Sequence, residues 1–358
     1  MTGPEVYRRR QAALALNMAL GLAVTVAIMI VATGIGAVDI PPRTVLVILA
    51  RAVSGRELFP SLPVDPAFIT IMLELRLPRV LLAALVGASL GLAGAAMQGF
   101  LRNPMADPYI TGVSSGAAFG ATIAIVAGVP LVGWWTGSVP LFAFAGAVVA
   151  LSLVLFLGRV NGTLATVPLI LAGVAVSSLF SAVVSLLMVL HEPRLEQVFF
   201  WLMGGFSGRG WTEAVVVAVY LFVCGFVLME QAVPLNALAL GEDDARSLGV
   251  DVKRSQYLVL GASAVLTAAA VSESGLIGFV GLVMPHMARL VVGPDHRVLL
   301  PASAMGGAAL MVLADLVARV AMRPAEIPVG IITALVGGPF FLYLLHRTRR
   351  AGGGWAPS

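Results

Sequence analysis

Long apolar runs, each closed by proline, glycine or charge, set the rhythm of this chain. They fall at about 12–38, 78–100, 109–128, 139–158, 167–190, 211–230, 255–271, 275–293, 300–321 and 328–346. A helix of about 20 apolar residues crosses the hydrocarbon core of a bilayer. The pattern therefore predicts an all-α polytopic membrane protein with about ten transmembrane helices. Polar positions gather in few places. The longest outer connection, about 39–77, holds Pro41-Pro42 and an apolar stretch, Thr44 to Val53, too short to span. A helix lying on the outer surface is expected there. The longest inner connection, about 231–254, is the one clearly polar segment. With no low-complexity linker, residues 1–358 read as a single transmembrane domain.

Composition agrees with this pattern and narrows the chemistry. Apolar residues make up 59% of the chain and charged ones 11%, with a mean hydropathy of +0.99. A soluble domain carries roughly a quarter charged residues, so there is too little polar surface for one here. Lys253 is the single lysine, and Arg254 follows it. A P-loop needs Gly-Lys-Ser/Thr, the lysine reaching the nucleotide phosphates, so any ATP must be handled by another subunit. Cys224 is the lone cysteine and His191, His286, His296 and His346 are scattered, a set that offers neither a thiolate cluster nor a paired metal site. No cofactor, metal site or catalytic constellation is expected, and nucleic acid is not an expected partner.

An even number of spans puts both termini on one side. With both inside, the inner segments hold 13 of the 22 Lys/Arg, and both ends carry arginine clusters. Positive charge favours the cytoplasmic face, so the expected location is a cytoplasmic (inner) membrane with both termini inside. Arg8–Arg10 followed by the run to Val38 mimics a signal peptide, but the run is about twice the usual length. It reads as an uncleaved first span.

Three stretches stand out from ordinary helix packing. In residues 101–121, Pro104 and Pro108 bracket a polar turn that leads through Thr111–Gly116 into the next span. In residues 234–254, Pro234 is expected to start a short helix that Gly241 ends, with Glu242, Asp243 and Asp244 in the first turn of a second. On pattern alone, a solvated loop has the better claim on that stretch. In residues 272–301, Gly275, Gly278 and Gly281 precede Pro285-His286, where a helix break is expected, His286 capping the freed carbonyls or ligating a group.

These stretches resemble the FecCD family of ABC importer permeases, which serve vitamin B12, ferric siderophores and haem. The family's "RLPR", "RNPLADPxLLGVSSGA", "ALGxxxAxxLG" and "GxIGFVGLxxPHxxR…DHRxLLP" patterns match Arg76–Arg79, Arg102–Ala117, Ala239–Gly249 and Gly275–Pro301, in order. The resemblance runs over about residues 70–346, ending in "LADLVAR…EIPVGIITALVGGPFFLYLL".

What the resemblance implies is specific. The chain would be one of two permease copies, a homodimer, joined to two cytoplasmic ATPases and a periplasmic or lipid-anchored binding protein. Residues 234–250 would be coupling helices seated in the ATPase, with Leu238, Ala239, Leu240, Gly241, Glu242, Ala245, Arg246, Leu248 and Gly249 at the contact. That replaces the solvated loop by a rigid knob, stiffened by Glu242 and Arg246 four residues apart. Arg76, Arg79 and Arg319 would dock carboxylates of the binding protein, although interfacial snorkelling also accounts for such arginines. Glu74 is placed to occupy Arg76, and Asp315 to occupy Arg319. Asn103, Met105, Thr166 and Val167 would form the cytoplasmic gate, Val167 standing where the B12-type relative has a small polar residue. The cargo would be a bulky metal chelate, a ferric siderophore or haem first and cobalamin next. An ion-coupled transporter would need acids near the midplane, and only Glu273 and Asp315 are candidates.

Overall fold

The computed structural model describes residues 3–36, 38, 40–54, 64–130, 137–160 and 163–350. Its helices, in chain order, are α1 (Gly3–Gly34), α2 (Pro42–Ser54), α3 (Pro66–Thr70), α4 (Leu77–Phe100), α5 (Val113–Ala127), α6 (Ser138–Leu157), α7 (Thr166–Leu190) and α8 (Leu195–Met203). They continue as α9 (Trp211–Glu230), α10 (Ala232–Leu238), α11 (Glu242–Ser247), α12 (Val252–Ser274), α13 (Val280–Val292), α14 (His296–Val320) and α15 (Val329–Arg350). Two-residue strands, β1 (Arg159–Val160) and β2 (Thr163–Leu164), pair just before α7. All ten predicted spans are helices. Seven described stretches are long and apolar enough to cross a membrane, while α5, α13 and Val329–Leu344 of α15 are shorter apolar helices.

The middle of the molecule is the pair α4–α14, with α12, α9 and α13 packed around α4. Lipid tails give apolar helices no drive to associate, so small residues that let backbones touch supply the packing energy. A Cβ added at Gly87 would lie 2.2 Å from the Gly307 carbonyl oxygen, and one at Gly94 would lie 1.9 Å from that of Gly281. Only glycine fits at such crossings. α5, α6 and α7 form a second group joined through α12, and α1 lies outermost against α14 and α4 with Leu16, Leu20 and Val31 exposed.

The helix expected in this connection is α2, which buries Val45 and Ile48 beside Met72. Residues 55–63 of that outer connection lie outside the described residues. Beyond it, α3 enters α4 through a π-helical turn at Ile71–Arg76, a wider turn that rotates the following side chains relative to a plain α-helix.

Two spans are shorter than their apolar runs. In the first, Asp107 accepts from the Tyr109 N–H at 2.8 Å and caps a 3₁₀ turn, Pro108–Thr111, before α5 begins. In the second, Gly275, at φ 72°, ends α12, and α13 starts after Phe279. The expected break at Pro285-His286 does not occur, because α13 runs through Pro285. Proline removes the bond that the carbonyl four residues earlier would accept. Here that carbonyl, Gly281, and its neighbour Leu282 receive the Gln98 amide from α4 at 3.5 and 3.2 Å. Gln98 therefore does what was expected of His286, whose ring instead lies edge-on to Phe340 at 6.1 Å.

Gly94→Val is expected to force α4 from α13, at more than the ~1–3 kcal/mol of an ordinary overpacked core. Thermal inactivation of the detergent-solubilised protein, followed by size-exclusion chromatography, should fall well below wild type. The same change at Gly261, where an added Cβ meets nothing within 4 Å, should leave it in place.

Candidate functional site

At the end expected to face outward, the three expected docking arginines have internal partners. Arg76 is 7% exposed and donates to the Gly34 carbonyl at 2.8 Å and to that of Val38. Arg319, also 7% exposed, donates to the carbonyls of Ile35 (2.9 Å) and Ala32 (3.0 Å). The last carbonyls of a helix lack intrahelical donors, and these two guanidinium forks fill that need at the end of α1. Arg319 also pairs with Asp315 one turn earlier, as expected. Arg79 bridges Asp315 at 2.8 Å and Glu326 at 3.0 Å. Asp315 has no exposed surface, so one carboxylate ties α4 to α14 from inside. Arg79 and Glu326, 13% and 38% exposed, are the part of this network open to the outside.

Behind it lies a cleft of about 450 Å³. Arg79, Glu326, Trp201, Arg209, Ser274 and Gly275 are among its walls. Three chain breaks meet along it, at Gly204, Gly275 and Val329. The Gly205 N–H donates to the Ser274 carbonyl (2.7 Å) and the Val329 N–H to the Gly204 carbonyl (3.0 Å). An apolar groove of about 370 Å³ adjoins, lined by Leu202, Met203, Leu276, Ile331 and Leu335. Broken helices whose backbone is satisfied inside the protein are how transporters build a route at membrane depth. Of the residues singled out in the sequence, Arg79 and Gly275 fall on this cleft; the cleft itself was not foreseen, because "SESG" and "EIPVG", which border it, are far apart in sequence.

At the opposite end, expected to face the cytoplasm, 232–250 is a compact two-helix knob. α10 begins at Ala232, two residues before Pro234, directly after the turn that ends α9. Gly241, at φ 134°, is the N-cap of α11 rather than the end of α10, which stops at Leu238. The three acids fill the first turn of α11 as expected, and Arg246 clasps Glu242 (2.9 Å) and Asp243 (2.7 Å). Leu238 and Ala245 are buried with Val252 in a small apolar core. Ala239, Leu240, Arg246, Leu248 and Gly249 are exposed, with Leu240 and Leu248 at 67% and 66%. Both are large apolar side chains exposed on an otherwise charged tip.

The two turns expected to form the gate border one apolar cluster, which holds Met97, Leu164 and Leu169 with Phe100 and Leu101 against it. Asn103 accepts from the Met105 N–H at 2.9 Å and so closes the first turn on itself. Thr166 and Val167 open α7, and Val167 is 66% exposed. Among the described residues, no group of three or more His, Cys, Asp or Glu could hold a metal ion.

Asp315→Asn should be the most damaging change at the outer end. Breaking a buried ion pair costs about 3–5 kcal/mol, and here two guanidiniums share the carboxylate. Glu326→Gln, at a partly exposed pair, should cost well under half of that. Thermal unfolding of both variants checks the order, and equal losses would contradict it.

Residues 24–347 match the FecCD transport family. The cobalamin import system permease BtuC of Halobacterium salinarum is 51% identical over 273 residues, covering 76% of this chain and 72% of that protein. The hemin transport system permease HmuU of Yersinia pestis is 42% identical over 284 residues, 78% of this chain and 84% of its own. A solved inward-facing structure described as an ABC transporter of metal-chelate type superposes with a TM-score of 0.77 at 36% identity, covering 93% of this chain and 98% of that one. The chain belongs to the FecCD transport family and is a multi-pass membrane permease of the ABC importer kind.

Proposed function

We propose that this chain, a single transmembrane permease domain, forms the pathway of an ATP-driven importer for a bulky metal chelate, a ferric siderophore or haem. It works as a homodimer with two ATPase subunits on the cytoplasmic face and a periplasmic or lipid-anchored binding protein outside. The membrane is a bacterial or archaeal cytoplasmic membrane, with both termini inside. Cobalamin is the second reading, favoured by the 51% identity to a cobalamin permease.

The observation that carries the proposal is the knob α10–α11. The chain lacks a P-loop, so the motor must be a separate protein that needs a rigid handle. Leu238, Gly241, Glu242 and Ala245 build the handle, while Ala239, Leu240, Arg246, Leu248 and Gly249 face outward from it. At the other end, docking of binding-protein carboxylates falls to Arg79, whose partner Glu326 is open to exchange. Arg76 and Arg319 serve that face indirectly, by holding the end of α1. Asn103, Met105, Thr166 and Val167 close the inner mouth around apolar neighbours, and an apolar constriction seals by excluding water.

Leu240→Asp combined with Leu248→Asp is expected to abolish co-purification of the ATPase subunits while the permease still inserts and elutes as a folded protein. Reconstituted vesicles supply the functional test. Uptake of a ferric siderophore, haem or cobalamin should require ATP, the ATPase and the binding protein together. Uptake driven by a proton gradient without the ATPase would sink the proposal.

A further inference from the structure

Among the described residues, one side chain of the knob has an unusual set of partners on α14. Asn236, on α10, uses both ends of its amide on the first turn of α14. Its Oδ1 accepts from the backbone N–H of His296 at 2.9 Å and lies 2.8 Å from the ring Nδ1 of the same residue. Its Nδ2 donates to Asp295 Oδ1 at 2.7 Å. An amide oxygen only accepts, so this pairing assigns the ring proton to Nδ1. Asp295 is the N-cap of α14, taking the Arg297 N–H at 3.0 Å. Arg297 also holds it through its side chain at 2.7 Å and keeps its carboxyl below the usual range. The first N–H groups of a helix have no intrahelical partner. A residue of the knob meets one of them and supports the cap that meets another.

The same turn is locked to α4. His296 is 5% exposed, and its ring rests on the bare backbone of Gly99, where a Cβ would come within 2.3 Å of Nε2. From there α14 runs against α4, with backbone contacts at Gly91–Ser303 and Gly87–Gly307. One turn before its end it reaches Asp315, where Arg79 and Arg319 converge. The 19 helical steps from His296 to Asp315 span about 28 Å, close to the ~30 Å hydrocarbon thickness. The alternative route, from α11 to α12, has one side-chain bond, Gln256 Nε2 to Glu242 Oε1 at 3.3 Å.

We infer that Asn236 is a positioning residue that makes the coupling knob and α14 one rigid strut. Through it, movement of the knob reaches the Arg79–Asp315–Arg319 network at the outer face. The inference rests on the reading of α10–α11 as the ATPase contact. It adds the path by which that contact and the binding-protein face sense each other. Two sites are coupled only through an element whose position both of them bias, and α14 touches both.

The test uses the full complex of permease, ATPase and binding protein in nanodiscs, with ATP hydrolysis measured with and without binding protein. Asn236→Leu keeps the volume and removes the amide. It should lower the ratio of stimulated to unstimulated rate at least about fivefold, the low end of measured allosteric couplings. The exchange Asn236→Asp with Asp295→Asn gives His296 its acceptor again and reverses the bond between the two side chains, the new amide at 295 donating to the new carboxylate at 236, and should recover at least half of the ratio. A purely structural loss would lower both rates together and leave the exchange variant unrescued. A wild-type ratio in Asn236→Leu, or no recovery in the exchange variant, overturns the inference.

Amide hydrogen exchange on the permease in nanodiscs separates this result from the reading beneath it. Asn236→Leu should speed exchange in residues 232–238 and 296–299 together, by about tenfold for one lost hydrogen bond. Faster exchange in α10 alone overturns the strut. Paired acceleration, with a wild-type complex that binds no ATPase, supports the strut and fails the knob as the ATPase contact.

Discussion

A membrane leaves a broken helix no water to bond with, and the organisation of this permease follows from that constraint. Each interruption in a span needs a donor or acceptor from elsewhere in the protein. Gln98 reaches across to the carbonyls at Pro285, the N–H groups of Gly205 and Val329 find carbonyls on neighbouring segments, and Arg76 and Arg319 fill the end of α1. Because each partner comes from a different helix, satisfying the breaks also locks the helices to one another. The irregular backbone that lines the outer cleft thus stabilises the packing around it.

Charge is scarce, and the structure spends it in two ways. Within the bundle, Asp315 gathers two arginines and is wholly buried, a geometry in which each group is tolerated only because the others are present. At the surfaces, the acids of α11 and the Arg79–Glu326 pair stay partly open, where a partner can compete for them. Charge inside the bundle fastens helices together, whereas these charges at its two ends keep part of their surface exposed. The long α14 joins the two ends, and its glycine-close contact with α4 leaves little freedom for either to move alone.

Much of this was legible beforehand, for a physical reason. A helix that must cross hydrocarbon declares itself by length and apolarity, so all ten spans and the surface helix α2 could be read from the pattern. The acids of α11 and the Glu242–Arg246 pair were legible because they are local, within one turn of helix. Errors arose where the partner was distant. Pro285 signals a break by its own chemistry, but Gln98, 187 residues earlier, supplies the missing bond. Arg76 and Arg319 look like surface arginines until α1 is folded against them.

The sequence by itself therefore determined which segments are apolar enough to form spanning helices, where the polar knob falls along the chain and, through its long motifs, the family. Those properties depend on composition and on neighbours within a few residues. Tertiary structure alone decided what each buried polar group does. It turned two arginines inward, drew Arg79 to Asp315, gathered three breaks around one cleft and fastened Asn236 to the head of α14. In a medium without water a polar side chain must bond to whatever the fold brings near it, and that neighbour is a property of the packing.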